Sequence, residues 1–195
     1  NIKTSGNNLS TSFFIFYKVK SMLNHLEKYT IILASNSPRR QELLSELGVE
    51  YIIKALPSID ESYTSQLKGG EISQFIAQKK AKSYESVMDE NDLIITADTI
   101  VYFNGEALGK PKDKETALTM LSHLSGNIHE VFTGVCLKTK KQTISFVART
   151  EVKFASLSTE EIEYYIEKYK PYDKAGSYGI QEWIGYIGVE NISGS

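Results

Sequence analysis

Residues 30–40 read TIILASNSPRR, and they decide the fold because an apolar, β-branched run leads directly into a helix start. A continuous apolar run of this kind is typical of a strand that is covered on both faces. Ser37 and Pro38 follow it, a pair suited to the N-cap and the first position of a helix. The helix carries an apolar stripe that we expect to be buried, formed by Leu43, Leu44 and Leu47. The stretch therefore predicts a strand, a short loop and a helix.

The rest of the chain alternates in the same way between strand and helix patterns. Apolar runs predict strands at VEYIIKAL (49–56) and DLIITA (92–97), and hairpins at TIVYFNGEAL (99–108) and in the stretch 130–157. Helical spacing predicts helices over 71–86, 113–124 and 159–169. The first of these turns three side chains inward, Ile72, Phe75 and Ile76, and the last opens with a capping box of Ser158 and Glu161. This order indicates an α/β fold on a mixed sheet flanked by helices, with a cleft where loops leave the strand ends.

Composition excludes several classes of protein. The 195 residues carry a formal net charge of -2, whereas a general nucleic-acid binder normally has a large basic excess. Cys136 is the only cysteine, so no internal disulfide can form, and the three histidines lack the spacing of a zinc site. No run approaches the roughly 20 apolar residues of a membrane span. We therefore expect a soluble, cytoplasmic protein that binds neither nucleic acid nor membrane.

The first 21 residues differ from the rest, because a polar stretch, NIKTSGNNLSTS, precedes a short apolar run, FFIFYKVK. They do not fit a signal peptide, which needs a basic start, a longer apolar core and a small-residue cleavage site. Met22 fits a natural start, since its sequence runs directly into the first strand. We expect residues 1–21 to be a non-functional or vector-derived extension and residues 22–195 to form one domain. An extra strand or helix on the surface is the alternative for the extension.

Four polar side chains crowd the loop and first helical turn after the first strand, namely Ser35, Ser37, Arg39 and Arg40. Free backbone N–H groups and the helix dipole favour an anion at this position. Two arginines add bidentate recognition of phosphate, although arginine at a helix N-terminus opposes the dipole. That cost favours phosphate binding over a purely stabilising role. The alternative is that Ser37 only caps the helix while the arginines face solvent.

Acidic residues follow two other predicted strands. Asp98 ends the apolar run LIITA, where active-site groups of open α/β sheets gather and where a charge needs a partner or a metal. Asp60 and Glu61 lie in a similar polar loop, PSIDES. Carboxylates of this kind suit Mg²⁺ or Mn²⁺ ions that hold phosphates. The alternative is that Asp98 is a loop or cap residue bonded to nearby backbone N–H groups.

Lysines complete the set of charged candidates. Lys80 lies four residues after Ile76 and therefore shares the inward face of its helix. Lys110 lies in a Gly-Lys-Pro loop, and Lys174 follows an aspartate near the end of the chain. Each of them alone fits a solvated surface lysine. Together with the two arginines they suit a triphosphate.

The motifs taken together resemble the Maf family of nucleoside triphosphate pyrophosphatases from about residue 30 to the end. They stand in the family's order and at compatible spacings: LASNSPRRQELLSELGV, IDES, KKAKS, ITADTIV, LGKPKD, LSGNIHEVFTGV and DKAGSYGIQ. The resemblance implies a mixed-sheet α/β fold with two lobes around a central cleft, related to the inosine-triphosphate pyrophosphatases. It also implies divalent-metal-dependent cleavage between the α- and β-phosphates, giving a nucleoside monophosphate and pyrophosphate. Homodimers are common in the family.

The family's functional residues fall on matching positions of this sequence. Its Ser-x-Ser-x-Arg-Arg phosphate motif falls on residues 35–40, and its helix and Gly-Lys-Pro lysines fall on Lys80 and Lys110. Its catalytic aspartate, the proton acceptor, falls on Asp98, and the glutamate of its acidic loop falls on Glu61. The resemblance implies that Asp98 and Glu61 together hold the metal ion. Three specificity positions hold arginine, threonine and glutamine in the subgroup that acts on dTTP and UTP. Here these positions are Arg40, Thr99 and Gln181, so the resemblance implies dTTP or UTP as substrate.

The resemblance leaves two other functions open. One is a pyrophosphatase for 7-methyl-GTP or another modified nucleotide. The other, of a different class, is a nucleotide-sensing module linked to cell division that binds without turnover, which the intact Asp98, Glu61 and Lys80 argue against. Family members also continue past the equivalent of Gly194 with a Gly-Leu-Pro segment and a final helix. We therefore expect the chain to be truncated at its carboxyl end.

Overall fold

A computed structural model describes residues 23–57 and 59–194. The prediction for residues 1–21 lies outside the described residues. The chain runs through β1 (Thr30–Leu33), α1 (Pro38–Glu46), β2 (Ile52–Ile53), α2 (Gly70–Lys82), β3 (Asp92–Phe103), β4 (Glu106–Leu108) and α3 (Lys114–Leu124). It continues through β5 (Ile128–Lys138), β6 (Thr143–Phe154), α4 (Thr159–Tyr169), α5 (Trp183–Gly188) and β7 (Val189–Gly194). The predicted class, α/β on a mixed sheet flanked by helices, is confirmed.

All the described strands join one sheet in the order β2-β1-β3-β5-β6-β7, with β4 added on the edge of β3. The strands β2, β1 and β3 are parallel, which their helical crossovers α1 and α2 require. The remaining pairs are antiparallel, and the long hairpin of β5 and β6 turns within residues 139–142 as predicted. The sheet therefore has a parallel end, which begins the chain, and an antiparallel end, which finishes it.

Helices cover both faces of the sheet, and β3 contributes to the core on each side. Alternation along β3 turns Ile100 towards α2, where it packs with Ile72 and Ile76. Val101 turns to the opposite face, into a larger core shared by α3, α4 and β6. The capping box of Ser158 and Glu161 that opens α4 is present as predicted, a feature worth about 1 kcal/mol.

The contact between α2 and β5 depends on one glycine. A methyl group added at Gly134 would lie 2.3 Å from the carbonyl carbon of Ser73 and 2.5 Å from the amide nitrogen of Gln74. No side chain beyond a hydrogen atom fits between this strand and the backbone of the helix. The absence of a side chain therefore sets how closely α2, with Lys80 on its inner face, approaches the sheet.

Three local predictions were wrong. The stripe predicted on α1 is not buried, since Leu43 is 62% exposed and Leu47 is 59% exposed. The strand predicted over 49–56 shortens to Ile52–Ile53, because β1 is only four residues long and offers few partners. Helix α2 ends at Lys82, where short turns replace it, and Phe75 is exposed at 37%. In each case the apolar pattern was present, but it lay beside the short parallel strands β1 and β2 or on the outer side of a helix.

The end of the described chain contains two elements that the sequence pattern did not predict. Residues 183–188 form the short helix α5, and residues 189–194 form β7, which pairs antiparallel with β6. Among the described residues, no helix combines the length and hydropathy that a membrane span requires.

Candidate active site

The site residues gather where one edge of β3 loses its neighbours. Strand β1 pairs with β3 only as far as Leu33 and Ile95, and β4 pairs with it again from Val101. Among the described residues, 96–100 have no strand partner on that edge, while β5 pairs with all of them on the other. The prediction that Asp98 ends its strand was therefore wrong. Asp98 lies in the middle of the 12-residue β3, and it is β1 that ends beside it.

Arg40 fills this open edge. Its Nη1 donates to the backbone oxygen of Ala97 at 2.9 Å and to the Ser35 hydroxyl at 3.4 Å. Burial lowers the pKa of the Arg40 guanidinium, and the carboxylates of Asp98 and Glu61 oppose that shift. The arginine therefore joins residues 35–40, the SNSPRR loop, to the residue that precedes Asp98.

The Ser35 hydroxyl is arranged as a donor. Its oxygen accepts a hydrogen bond from Arg40 and another from the backbone N–H of Ser37 at 3.2 Å. Because both acceptor positions are used, its own O–H remains to donate to a ligand. Ser37 occupies the N-cap of α1 as predicted, with Pro38 after it, but its side chain makes no capping bond. The first turn of α1 also holds no acidic residue, so the positive end of the helix is not neutralised there.

Lys80 brings the two predicted metal carboxylates together. Its ammonium lies 2.7 Å from Oδ1 of Asp98 and 2.9 Å from Oε1 of Glu61. The Lys80 side chain is 13% exposed and that of Asp98 is 12% exposed, so this pair is largely removed from water. Burial raises the pKa of the Asp98 carboxyl, while the charge and hydrogen bond of Lys80 act to lower it. The lysine thus favours the ionised form of Asp98 and opposes the effect of burial on its pKa.

A second ion pair fixes the acidic loop that carries Glu61. Asp60 accepts from the ammonium of Lys79 at 2.7 Å and from the backbone and side chain of Ser62. These bonds hold the pKa of the Asp60 carboxyl well below its usual range. Lys79 was not among the predicted site residues. The adjacent lysines in QKKAKS, facing the adjacent acidic residues Asp60 and Glu61, could have suggested two ion pairs side by side. Together Lys79 and Lys80 tie residues 60–62 to α2.

Thr99 points to the opposite face of β3 from Asp98, as alternation along a strand requires. Its hydroxyl lies 3.5 Å from Nη2 of Arg40 and 3.1 Å from the hydroxyl of Thr133, the residue directly opposite it on β5. Arg40 and Thr99, two of the three predicted specificity residues, are therefore in contact. Thr133 was missed, because only the register of β3 against β5 brings it there.

Gln181, the third predicted specificity residue, contacts the other arginine. Nη1 of Arg39 donates to the side-chain oxygen of Gln181 at 3.2 Å. This contact connects α1, at the parallel end of the sheet, to the segment that precedes α5. Since arginine can only donate, the oxygen of Gln181 faces Arg39 and its amide nitrogen remains available as a donor.

The structure does not bring the remaining lysines into this cluster. Lys110 is exposed in the loop after β4, and the structure records no contact between it and the other predicted site residues that it describes. That loop is tied to the turn at residues 175–177 by a hydrogen bond from Gly176 to Gly109. Lys174 is held between Asp173 and Glu182 and is 12% exposed. It is a structural contact of its own segment and not a free cation.

Glu61 and Asp98 suit a divalent cation that is shared with a substrate. Both carboxylates already converge on one positive charge, the ammonium of Lys80. The part of the chain that the structure describes holds no group of three or more His, Cys, Asp or Glu placed to bind a metal. Mg²⁺ is commonly bound by one or two carboxylates, with phosphate oxygens and water completing its ligands. The donor set fits that mode.

Comparison with known proteins gives one consistent result. The family described as Maf-like protein matches residues 30–195. A protein of Bacteroides thetaiotaomicron named dTTP/UTP pyrophosphatase is 58% identical over 174 residues, which cover 89% of this chain and 90% of the relative. Its namesake in Phocaeicola vulgatus is 60% identical over 174 residues, with the same coverage. The one in Flavobacterium johnsoniae is 48% identical over 170 residues, covering 87% of each chain.

Among solved structures, that of the Staphylococcus aureus Ham1 protein is similar over 65% of this chain and 72% of its own, with 15% identity and a TM-score of 0.47. That similarity is too low for any inference about residues or chemistry. The family match covers the whole segment that builds the open edge of β3, from residues 35–40 (SNSPRR) to Gln181.

Proposed function

The chain belongs to the Maf family, and from that premise we propose that it hydrolyses nucleoside triphosphates, dTTP and UTP above all, to the monophosphate and pyrophosphate. One observation carries the proposal. Beside the open edge of β3, two cations, Arg40 and Lys80, meet two carboxylates, Asp98 and Glu61, where the strand has no strand partner. A binding module would need the cations, but it would not need a largely buried carboxylate paired with a lysine.

The cationic side of the site suits the phosphates. Arg39 and Arg40 flank the unneutralised N-terminus of α1, and Ser35 has a hydroxyl proton left to donate. Guanidinium groups bind phosphate oxygens through paired hydrogen bonds, and a helix N-terminus adds backbone donors. These groups would neutralise the charge that grows on pyrophosphate as the bond to the α-phosphate breaks. Lys110 stays a prediction as a further phosphate ligand.

Asp98 is suited to accept a proton from the attacking water. The carboxylate accepts one proton as the water oxygen bonds to phosphorus, and the α–β anhydride bond breaks to release pyrophosphate. Lys80 favours the ionised form that this step needs. Burial in turn makes the carboxylate a stronger base than it would be in water.

We also propose that Glu61 and Asp98 hold a divalent cation, Mg²⁺ or Mn²⁺, together with the phosphates. When bound, it would withdraw charge from the phosphate oxygens. Chelation by EDTA is expected to abolish pyrophosphate release, and added Mn²⁺ to restore it. Isothermal titration of Mn²⁺ into the protein with and without nucleotide gives an independent readout, and Glu61→Gln should weaken that binding. Full activity after exhaustive chelation would contradict this part of the proposal.

Base selection belongs to the other face of β3. Thr99, Arg40 and Thr133 are joined there by hydrogen bonds, and the amide nitrogen of Gln181 is free to donate. The O4 oxygen of uracil and thymine accepts a hydrogen bond, whereas cytosine presents an amino group at that position. The Gln181 amide group facing that amino group would place two donors against each other, which disfavours cytosine. This arrangement supports a preference for uridine and thymidine nucleotides.

The direct test is a pyrophosphate-release assay over a panel of nucleoside triphosphates in the presence of Mn²⁺. Release from dTTP and UTP, with CTP and the purine nucleotides at least about 10-fold slower in kcat/KM, is the expected result. Preferred release from 7-methyl-GTP would reassign the substrate. Binding of UTP with no release from any nucleotide would overturn the enzyme assignment in favour of a sensing module. A cytoplasmic location and a homodimer stay predictions.

A further inference from the structure

The segment that carries Gln181 is fastened to the protein by one carboxylate, that of Glu182. One oxygen of Glu182 accepts a hydrogen bond from the hydroxyl of Tyr165, and the other lies 3.2 Å from the ammonium of Lys174. Tyr165 is fully buried in α4, and its ring stacks on Tyr169. The carboxylate therefore connects the core of the antiparallel end to the residue next to Gln181.

The same tyrosine makes a second contact with this segment. Its oxygen accepts a hydrogen bond from the backbone N–H of Gly179 at 3.0 Å. Burial raises the pKa of Tyr165 far above its usual value, so the hydroxyl keeps the proton that it donates to Glu182. One buried hydroxyl thus holds the segment on both sides of Gln181, at positions 179 and 182.

Packing around the Glu182 carboxylate is close. A methyl group added at Gly179 would lie 3.0 Å from Cδ of Glu182 and 3.2 Å from Cε of Lys174. The backbone N–H of Glu182 also donates to the oxygen of Gly179 at 2.9 Å, which closes a tight turn around Gln181. The turn packs closely around the Glu182 carboxylate, so the turn can move little while Tyr165 and Lys174 hold that carboxylate.

We propose that Glu182 is a positioning residue for base selection: anchored by Tyr165 and Lys174, it fixes the turn that presents Gln181 to the base. The inference rests on the proposed function, because it concerns how the same site distinguishes nucleotides. It assigns no contact with substrate to Glu182, Tyr165 or Lys174. Selectivity arises because Gln181 is held by Arg39 on one side and by this anchored turn on the other.

Two isosteric variants test the proposal. Tyr165→Phe keeps the buried ring and removes only the hydroxyl that holds positions 179 and 182. Tyr164→Phe is the matched control, since the neighbouring ring is 45% exposed and its hydroxyl contacts only Lys168 among the described residues. Tyr165→Phe is expected to raise the KM for UTP, with kcat within about 3-fold of the parent. It should lower the UTP-to-CTP ratio of kcat/KM about 10-fold, as a displaced buried hydrogen bond does.

A second pair separates the acceptor from its charge. Glu182→Gln keeps an oxygen that can accept from Tyr165 and should preserve most of the selectivity, whereas Glu182→Ala should lose it. A merely structural role would reduce the fraction of active protein, so that both nucleotides lose activity equally and their ratio stays fixed. An unchanged ratio in Tyr165→Phe and in Glu182→Ala would overturn the proposal, whatever happens to kcat.

The dissociation constants of UTP and CTP, measured by calorimetry with the same variants in an Asp98→Asn background, distinguish this failure from failure of the proposed function. If the parent enzyme releases no pyrophosphate but Tyr165→Phe narrows the difference in affinity, the positioning role stands and the enzyme assignment falls. If turnover is normal and neither ratio changes, the positioning role alone falls. If neither UTP nor CTP binds, both the positioning role and the proposed function are overturned.

Discussion

Replacing Gly134 with alanine should lower the stability of the fold and impair catalysis, because both follow from displacement of α2 away from β5. The added methyl would lie 2.3 Å from the carbonyl carbon and 2.4 Å from the oxygen of Ser73, both backbone atoms that cannot rotate away. Ordinary van der Waals contact begins near 3.4 Å, so α2 must move away from β5 by about 1 Å. Overpacking of this kind costs about 1–3 kcal/mol, which corresponds to a fall in Tm of roughly 3–10 °C for a chain of this size.

The same displacement reaches the site, because α2 carries Lys80. A shift of about 1 Å stretches the 2.7 Å contact between its ammonium and Asp98 beyond hydrogen-bond reach. Misplacement by about 1 Å can cost about 100-fold in rate, so kcat should fall by more than the loss of folded protein explains.

Calorimetric unfolding and pyrophosphate release, measured on the same preparation, check both parts of this prediction. Gly109→Ala is the control, since a methyl group added there meets no atom within 4 Å. A Gly134→Ala variant with the Tm and kcat of the parent would refute the close-approach argument.

Two further predictions concern charge. Lys80→Met should lower kcat for UTP about 100-fold, because it removes the cation that favours ionised Asp98 and leaves two carboxylates facing each other. Lys79→Met only frees the acidic loop and should lower kcat less. Equal losses of kcat in the two variants would contradict separate roles for the two lysines. Burial lowers the pKa of His129 to about 4, so as the pH falls this histidine takes up a proton in the unfolded chain before it does so in the folded one. The free energy of unfolding should therefore fall by up to about 3 kcal/mol as the pH drops from about 6.5 to 4. Urea unfolding at several pH values measures this loss, and an equal loss in His129→Phe would assign it to other groups.

The sequence predicted the elements that local chemistry defines. The capping box at Ser158, the hairpin turn at Asn104 and Gly105, and the inward position of Lys80 follow from residues close together in the chain, and the structure has all three. The residues of the SNSPRR loop were found for the same reason, since a helix start with adjacent arginines is a local pattern. The family resemblance then selected Glu61 from the two acidic residues of its loop, and it alone indicated Gln181, which no local pattern singles out.

What the sequence did not predict depends on register and on which strands run past their neighbours. The position of Asp98 was mistaken because the end of β1, not of β3, creates the open edge. Thr133 becomes a neighbour of Thr99 only through the pairing of β3 with β5. The anchoring of the last turn by Tyr165 was hidden for the same reason, since 14 residues separate this tyrosine from its partner Gly179. The exposed stripe of α1 shows the converse, that an apolar pattern does not by itself decide burial.

The central claim is that Asp98 acts in the cleavage of the α–β anhydride bond of a bound pyrimidine nucleotide. Product analysis of UTP turnover by phosphorus NMR tests it most directly, with the parent enzyme and Asp98→Asn compared at saturating UTP and Mn²⁺. The account predicts UMP and pyrophosphate from the parent, and at least about 100-fold slower turnover by Asp98→Asn with UTP still bound, since loss of a catalytic base costs about 100–10,000-fold. Formation of UDP and phosphate, or parent-like turnover by Asp98→Asn, would contradict it.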